Sequence, residues 1–237
     1  VPASVRRFNQ RVRQRRIRAV APWLAALIAV VLAALVGWVV YGTSLLGVRT
    51  VRVSGNSMVT ADQVRDAAAV PPGAALASLD LRAVAARVQR LAPVRVAKVT
   101  RDWPSTVVIA VSERVPVAVL ARPDRQYDLV DATGVVFATL PARPAVPLLQ
   151  LTAPGPGDPS TQAALQVLAA LTPVLRDQLV TLVATAPTRI RLELAGSREI
   201  VWGDASQNAT KARVATSLLS HPGRVIDVSA PDVVTVR

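Results

Sequence analysis

The stretch VRTVRVSGNSMVTADQVRDAAAV, residues 48–70, decides how the chain around it folds. Val51 and Val53 alternate with Arg52, the two-residue period of a half-buried strand. SGNS (54–57) is a turn. Thr60 followed three residues later by Gln63 forms a capping box that opens a short helix, and Pro71, Pro72 and Gly73 close it. A second helix is expected in DLRAVAARVQRL (80–91), where Asp80 stands at the cap and Leu81, Val84, Val88 and Leu91 share one face. Two strand-like runs follow, VRVAKVT (94–100) and STVVIAVSE (105–113), joined through RDWPS (101–105). Val107, Ile109 and Val111 alternate with smaller or polar neighbours. Trp103-Pro104, at the corner between the runs, reads as a structural plug. Strand, helix, helix, strand, strand describes a compact unit over residues 46–116, with helices on one face of a sheet.

Upstream lies WLAALIAVVLAALVGWVVY, Trp23 to Tyr41, without a charged residue. Nineteen residues of helix rise roughly 28 Å, close to the hydrocarbon thickness of a bilayer. Trp23 marks one end, and Trp38 and Tyr41 the other, where amphipathic rings prefer the headgroup boundary. The chain has eight aromatic residues in all, so three at these boundaries form a membrane signature. The apolar run is longer than a signal-peptide core of about 7–15 residues, and VVYGTSLLG offers no clear cleavage site. We expect a retained signal anchor, residues 21–42.

Before this span comes a tail, residues 1–20, carrying Arg6, Arg7, Arg11, Arg13, Arg15, Arg16 and Arg18 and no acidic residue. Only Arg49 and Arg52 follow closely on the other side. The bias toward arginine before the span places the tail in the cytoplasm and everything beyond about residue 45 outside. The tail suits an anionic lipid surface. Nucleic-acid phosphates are the alternative, but Phe8 is the one aromatic interleaved among the arginines.

The formal net charge is +13, with 26 Arg and 2 Lys; seven of the charges sit in the tail, so the rest is only moderately basic. The absence of cysteine excludes disulfides, thiolate nucleophiles and zinc–cysteine sites. The exterior part must therefore be stable through its core alone. The one histidine, His221, lies in SHPG (220–223) and reads as a turn residue after a helix.

The remaining region, 117–237, is expected to be sheet-rich with two or more helices, two of which the sequence locates. YDLVDATGVVF (127–137) is a hairpin turning at Asp131–Gly134. PAVPLLQLTAPGPGDPS (144–160) reads as a loop, and Ser160 as the cap of the helix TQAALQVLAAL. RIRLEL (189–194) and EIVWG (199–203) are strands around AGSR. Ser206 or Asn208 is expected to cap a helix running through Leu219. RVIDVS (224–229) and DVVTVR (232–237) are strands separated by Ala230-Pro231. The fold class is α+β: a single transmembrane helix, a β-α-α-β-β unit, then a mixed, sheet-rich domain.

Signatures of wall chemistry are missing. The residues three before Lys98 and Lys211 are Arg95 and Asn208, so no Ser-x-x-Lys exists. No HExxH or phosphate-binding GxxxxGK[ST] occurs either. Asp128 and Asp131 flank a hairpin, where turn formation explains them, and Glu113 at a strand end suits pairing with an arginine. No catalytic residue, metal, cofactor or small-molecule substrate is expected, which leaves binding. The run VVTVR at the end of the chain either packs between two strands or forms an open edge, a template for another chain's strand.

The signal anchor, VRVSGNSMVTADQV (51–64) and RDWPSTVVIAVSERVPVAVL (101–120) together resemble the FtsQ/DivIB family of bacterial cell-division proteins. LVDATGVVF (129–137), GDASQNATKARVATSLL (203–219) and VIDVSAPDVVTVR (225–237) extend the likeness over nearly the whole chain. The resemblance implies that 46–116 is a POTRA domain. It also implies a non-catalytic scaffold of the divisome, recruiting partners of the FtsB/FtsL (DivIC) type by strand addition and linking them to the septal synthase FtsW/FtsI. Matched onto this chain, the partner surface is Val233, Val234, Thr235 and Val236, with Val225 and Asp227 beside it and the helix from Ala209 to Leu219 nearby. Small residues of the span would allow helix association in the membrane. Two rivals are a POTRA component of protein transport or chaperoning, which would need repeated units or barrel strands, and a cell-wall enzyme using carboxylates.

Overall fold

The computed structural model describes residues 22–39, 46–230 and 235–236. Arg11, Arg13, Arg15, Arg16, Arg18, Tyr41, Val233 and Val234 lie outside the described residues. The first helix, α1 (Pro22–Val39), is the one helix among the described residues long and apolar enough to cross a membrane. Its Trp23 and Trp38 are both exposed, as its other large side chains are. A helix apolar on every face and unburied has lipid as its natural solvent.

The chain divides into two units, residues 1–91 with 96–112, which include α1, and 92–95 with 113–237. In the first, β1 (Thr50–Ser54), α2 (Ala61–Ala68), α3 (Leu81–Val88), β2 (Val94–Asp102) and β3 (Thr106–Glu113) follow the expected order. The sheet order is β1-β3-β2, with β1 parallel to β3 from Thr50 opposite Thr106 to Ser54 opposite Ala110. The Thr60–Gln63 capping box forms as the sequence requires, and Asp80 accepts from the amides of Arg82 and Ala83. Arg87 of α3 donates to the carbonyl of Ala68 at the end of α2, closing that helix with a cation. Val64, Val84, Val88, Val107 and Ile109 are fully buried. Each such side chain contributes about 1.5–3 kcal/mol, whereas the exposed pair Arg52–Asp102 at 3.5 Å belongs to a class worth about 0–1 kcal/mol. The helix–sheet core therefore holds this unit together.

Arg101 supplies a second clamp. Its guanidinium donates to the carbonyls of Leu76 (2.6 Å), Ala77 (3.2 Å) and Leu79 (2.7 Å), tying β2 to the loop between the helices. Arg101→Met is expected to cost about 2 kcal/mol, because charge-assisted bonds are lost and loop carbonyls lose their donor. Urea unfolding of the full chain in detergent micelles measures it. Trp103 departs from expectation: it is 51% exposed, so it plugs nothing.

The second unit is one nine-stranded sheet. Its strands are β4 (Pro116–Ala121), β5 (Tyr127–Asp131), β6 (Val136–Leu140), β7 (Leu148–Leu151), β8 (Leu179–Ala186), β9 (Arg189–Leu194), β10 (Arg198–Gly203), β11 (Val225–Asp227) and β12 (Thr235–Val236). They lie in the order β12-β11-β10-β9-β8-β7-β4-β5-β6. The helices are α4 (Pro159–Ala170), α5 (Pro173–Gln178) and α6 (Asn208–Leu218). The main core gathers Leu149, Leu165, Leu168, Leu182, Leu192 and Trp202, while Val119, Leu129 and Phe137 form a smaller cluster. Asp131 turns the β5–β6 hairpin by accepting from the amides of Thr133 and Val135, and it pairs with Arg114. Burial works to raise its pKa, but bonds from Thr133, Arg114 and the Val135 amide outweigh that and hold it below the ordinary value.

Several local expectations are corrected. Within the expected 144–160 loop, LLQL forms β7, parallel to both β4 and β8. Asp158, not Ser160, caps α4, accepting from Thr161 N at 2.7 Å, because Pro159 takes the first helical position where no donor is needed. Among the described residues this region holds three helices, within the two or more expected, α5 being the one that the sequence did not locate. Neither Ser206 nor Asn208 caps α6, whose cap position is Gln207 in a left-handed conformation.

Candidate functional site

The nine-stranded sheet ends on β12 at one side and β6 at the other. Thr235 pairs with Asp227 and Val236 with Ile226, antiparallel, and β11 in turn lies parallel to β10. Thr235 is exposed. Among the described residues β12 has one hydrogen-bonded neighbour, β11, so a row of backbone donors and acceptors faces away from the sheet. Of the sequence-derived partner residues, Val225 and Asp227 lie half-buried on β11, and Thr235 and Val236 form β12.

The chain behind this edge is heavily braced. Because β10 and β11 are parallel, a crossover must connect them, and α6 is that crossover. Strand β10 grips α6 at both ends. At its start, the buried Trp202 donates from Nε1 to Asn208 Oδ1 at 2.9 Å. Lys211, fully buried, donates from Nζ to the Asp204 carbonyl (3.0 Å) and Oδ1 (2.8 Å). At its end, Arg198 donates to the carbonyls of Leu219 (2.6 Å) and His221 (3.1 Å). Asp204 Oδ1 also accepts from Ser206 N and Oγ. The Lys211 bond, then the Ser206 hydroxyl and amide, hold the Asp204 carboxyl far below the usual carboxylate range. Ser206 and Asn208, the sequence candidates for the cap, are thus spent on these contacts.

Two contacts fix β11 itself. Glu199 N donates to the Arg224 carbonyl and Val228 N to that of Val201, extending the ladder past both ends of the strand. Asp227 Oδ1 accepts from Ser229 N (2.9 Å) and Oγ (2.7 Å), a local turn that stops β11. Gly203 sits at φ +78, and a Cβ there would meet Ser229 Cβ at 2.9 Å, so the two segments touch closely. The outer face of α6 presents Ala209, Arg213 and Ser217. His221 is exposed in the bend that follows, as its sequence context implies. Among the described residues no group of three or more His, Cys, Asp or Glu could hold a metal.

Sequence reasoning did not find the Trp202–Asn208 and Lys211–Asp204 pairs. One signal was available: in a chain that uses arginine almost throughout, Lys211 is one of two lysines, and a slim ammonium fits where a guanidinium fork does not.

Comparison with known proteins agrees with this architecture. Residues 46–114 match the model of the POTRA domain, FtsQ-type, and residues 118–230 that of the cell division protein FtsQ/DivIB C-terminal domain. The chain is 41% identical over 218 residues to the cell division protein FtsQ of Mycobacteroides abscessus, covering 90% of this chain and 70% of that one. It is 40% identical over 224 residues to the FtsQ of Mycobacterium tuberculosis, covering 93% and 71% respectively. To the FtsQ of Streptomyces collinus it is 39% identical over 232 residues, covering 92% and 87%. With an apolar N-terminal helix, a POTRA domain and a sheet-rich C-terminal domain in this order, the chain belongs to the FtsQ/DivIB family of cell-division proteins.

Proposed function

We propose that this chain is a non-catalytic, single-pass scaffold of the divisome that receives membrane partners of the FtsB/FtsL (DivIC) type on the β12 edge. The observation that carries this reading is the position of β12: it ends the nine-stranded sheet, with β11 as its one neighbour among the described residues. A partner strand would become the tenth, its main chain supplying affinity and its side chains specificity. Thr235 and Val236, together with Val233 and Val234, would form the ladder, and Val225 and Asp227 its flank. The bracing of α6 by β10 supports the reading, since a pre-ordered edge loses little entropy when a strand docks.

The arginine tail would stay in the cytoplasm against anionic lipid, with both folded units on the far side of the membrane at the division septum. From there the docked subcomplex would be held beside the septal synthase of FtsW/FtsI type. Protease added to intact spheroplasts is expected to digest the folded part while sparing the tail.

Two adjacent substitutions test the edge. Backbone N–H groups alternate between the two sides of a strand, so of Thr235→Pro and Val236→Pro one removes a donor facing β11 and the other a donor facing the partner. The outward one is expected to weaken capture of the partner by more than about tenfold while the chain unfolds as the parent does, since one ladder bond with its proline clash exceeds 1.4 kcal/mol. Undiminished capture by both variants would rule out strand addition at β12.

A further inference from the structure

The chain enters the first folded unit through a slot made by two loops. Gly47 bridges to Ala75, Val48 N donates to the Ala74 carbonyl at 2.8 Å, Gly73 N to the Val48 carbonyl at 2.9 Å, and Leu76 N to the Leu46 carbonyl at 3.1 Å. On the next residues the partner changes. Arg49 N and Thr50 N both donate to the carbonyl of Ser105, in the tip of the β2–β3 hairpin. Leu46–Thr50 therefore runs between the loop at Gly73–Leu76 and the hairpin tip, and Arg101 ties β2, which leads into that tip, to the same loop.

Since β1 is parallel to β3 and starts opposite Thr106, the tip lies at the end of the sheet where the chain arrives from α1. Seven Cα steps separate Val39 at the end of α1 from Leu46 in the slot, a reach of at most about 25 Å. That end of the unit is thus leashed close to the point where α1 leaves the apolar layer. That end also exposes apolar surface, as Met58 and Val96 do elsewhere in the unit. Trp103 is 51% exposed, and Pro104, Pro71 and Pro72 are exposed beside the same slot, with Arg49 exposed between them.

The four tryptophans divide cleanly. Trp202 is fully buried and hydrogen-bonded, which is how this fold treats a tryptophan that it keeps for its core. Trp23 and Trp38 are exposed near the two ends of α1. Trp103 is exposed like the latter pair, on the hairpin tip beside Arg49 and Thr50. An indole gains most at the headgroup boundary, where its ring is shielded and its N–H stays wet.

We propose that Trp103 and Pro104 seat in the headgroup layer of the bilayer on the side where α1 emerges, with Arg49 against lipid phosphate, so that the first unit rests on the membrane through its hairpin tip. The contact would fix the orientation of the unit against the bilayer. This inference rests on reading α1 as a membrane span.

The test uses the full chain and its W103F variant, reconstituted in phosphatidylcholine–phosphatidylglycerol vesicles with and without lipids brominated just below the headgroup. Subtracting the variant's emission from the parent's isolates the Trp103 share. That share is expected to fall by at least half with brominated lipid and to resist aqueous acrylamide. A Trp103 share untouched by bromine and fully quenched by acrylamide overturns the proposal. The emission that remains in W103F comes from Trp23, Trp38 and the buried Trp202. If bromine leaves that emission unchanged, the span reading itself fails and this proposal falls with it, a result distinct from loss of the Trp103 contact alone.

Discussion

Asp204→Ala is expected to cost about 3 kcal/mol of folding stability, and Lys211→Met, at the other end of the same pair, less than about half of that. The asymmetry follows from burial. The Lys211 side chain is 1% exposed and that of Asp204 48%. Removing the carboxylate leaves an ammonium inside the protein with the Asp204 carbonyl as its remaining acceptor, and an uncompensated buried charge is the expensive case. Removing the ammonium leaves a carboxylate that water can reach, still bonded to Ser206, while methionine fills much of the vacated volume. Urea unfolding of both variants in micelles decides the matter. Equal losses would mean that the pair acts through packing rather than charge.

The same pair sets an acid limit. The folded-state pKa of Asp204 lies below its ordinary 3.8, so the folded form binds the proton less readily than the unfolded one. Its contribution is complete above about pH 3.8, and it is lost as pH falls through the range below. The parent should lose stability there faster than Asp204→Ala does, and the two unfolding curves should converge toward low pH.

Gly55→Ala is the second large effect, with an expected loss of about 3 kcal/mol or more confined to the first unit. Gly55 lies at φ +77, and a Cβ added there would run into the carbonyl oxygen of Val111. The left-handed conformation costs an alanine about 1–2 kcal/mol. The overlap is the greater part: the obstacle is backbone of the central strand β3, which cannot swing aside as a side chain would. Relief requires β1 to part from β3 at Ser54–Ala110. Hydrogen exchange should show faster opening of β1 and β3 amides, with β8 to β10 unchanged. Slower protection loss in β1 than in β9 would contradict the assignment.

The first unit was legible because local signals agreed with one another. Thr60 with Gln63, Asp80, and the alternation through Val107, Ile109 and Val111 each fix an element without help from distant residues, and all formed as read. The second unit was harder where burial is two-sided. Leu149 of β7 joins the main core, and Leu148 packs against the smaller cluster with Val119 and Phe137. A strand apolar on both faces shows no alternation, and flanking prolines disguised it as loop. Caps failed where a polar side chain had a stronger claim elsewhere: Asn208 answers Trp202, and Ser206 answers Asp204. The strand β12 was visible as a β-branched run, but its place beside β11 depends on a crossover that spacing cannot reveal. Trp103 was placed at the right corner and given the wrong environment, because sequence marks a turn without saying whether its ring faces in or out.

The parallel pairing of β1 with β3 has a mechanical consequence. Tension drawn along the chain between the anchor and the second unit enters at the start of β1, behind the Leu46–Val48 clasp, and leaves at the end of β3. The two strands are thus dragged in opposite senses along their length, so the pairs from Thr50–Thr106 to Ser54–Ala110 bear the load together instead of peeling apart singly. Force along that line meets these pairs in shear, and rupture is governed by a rate rather than by equilibrium stability.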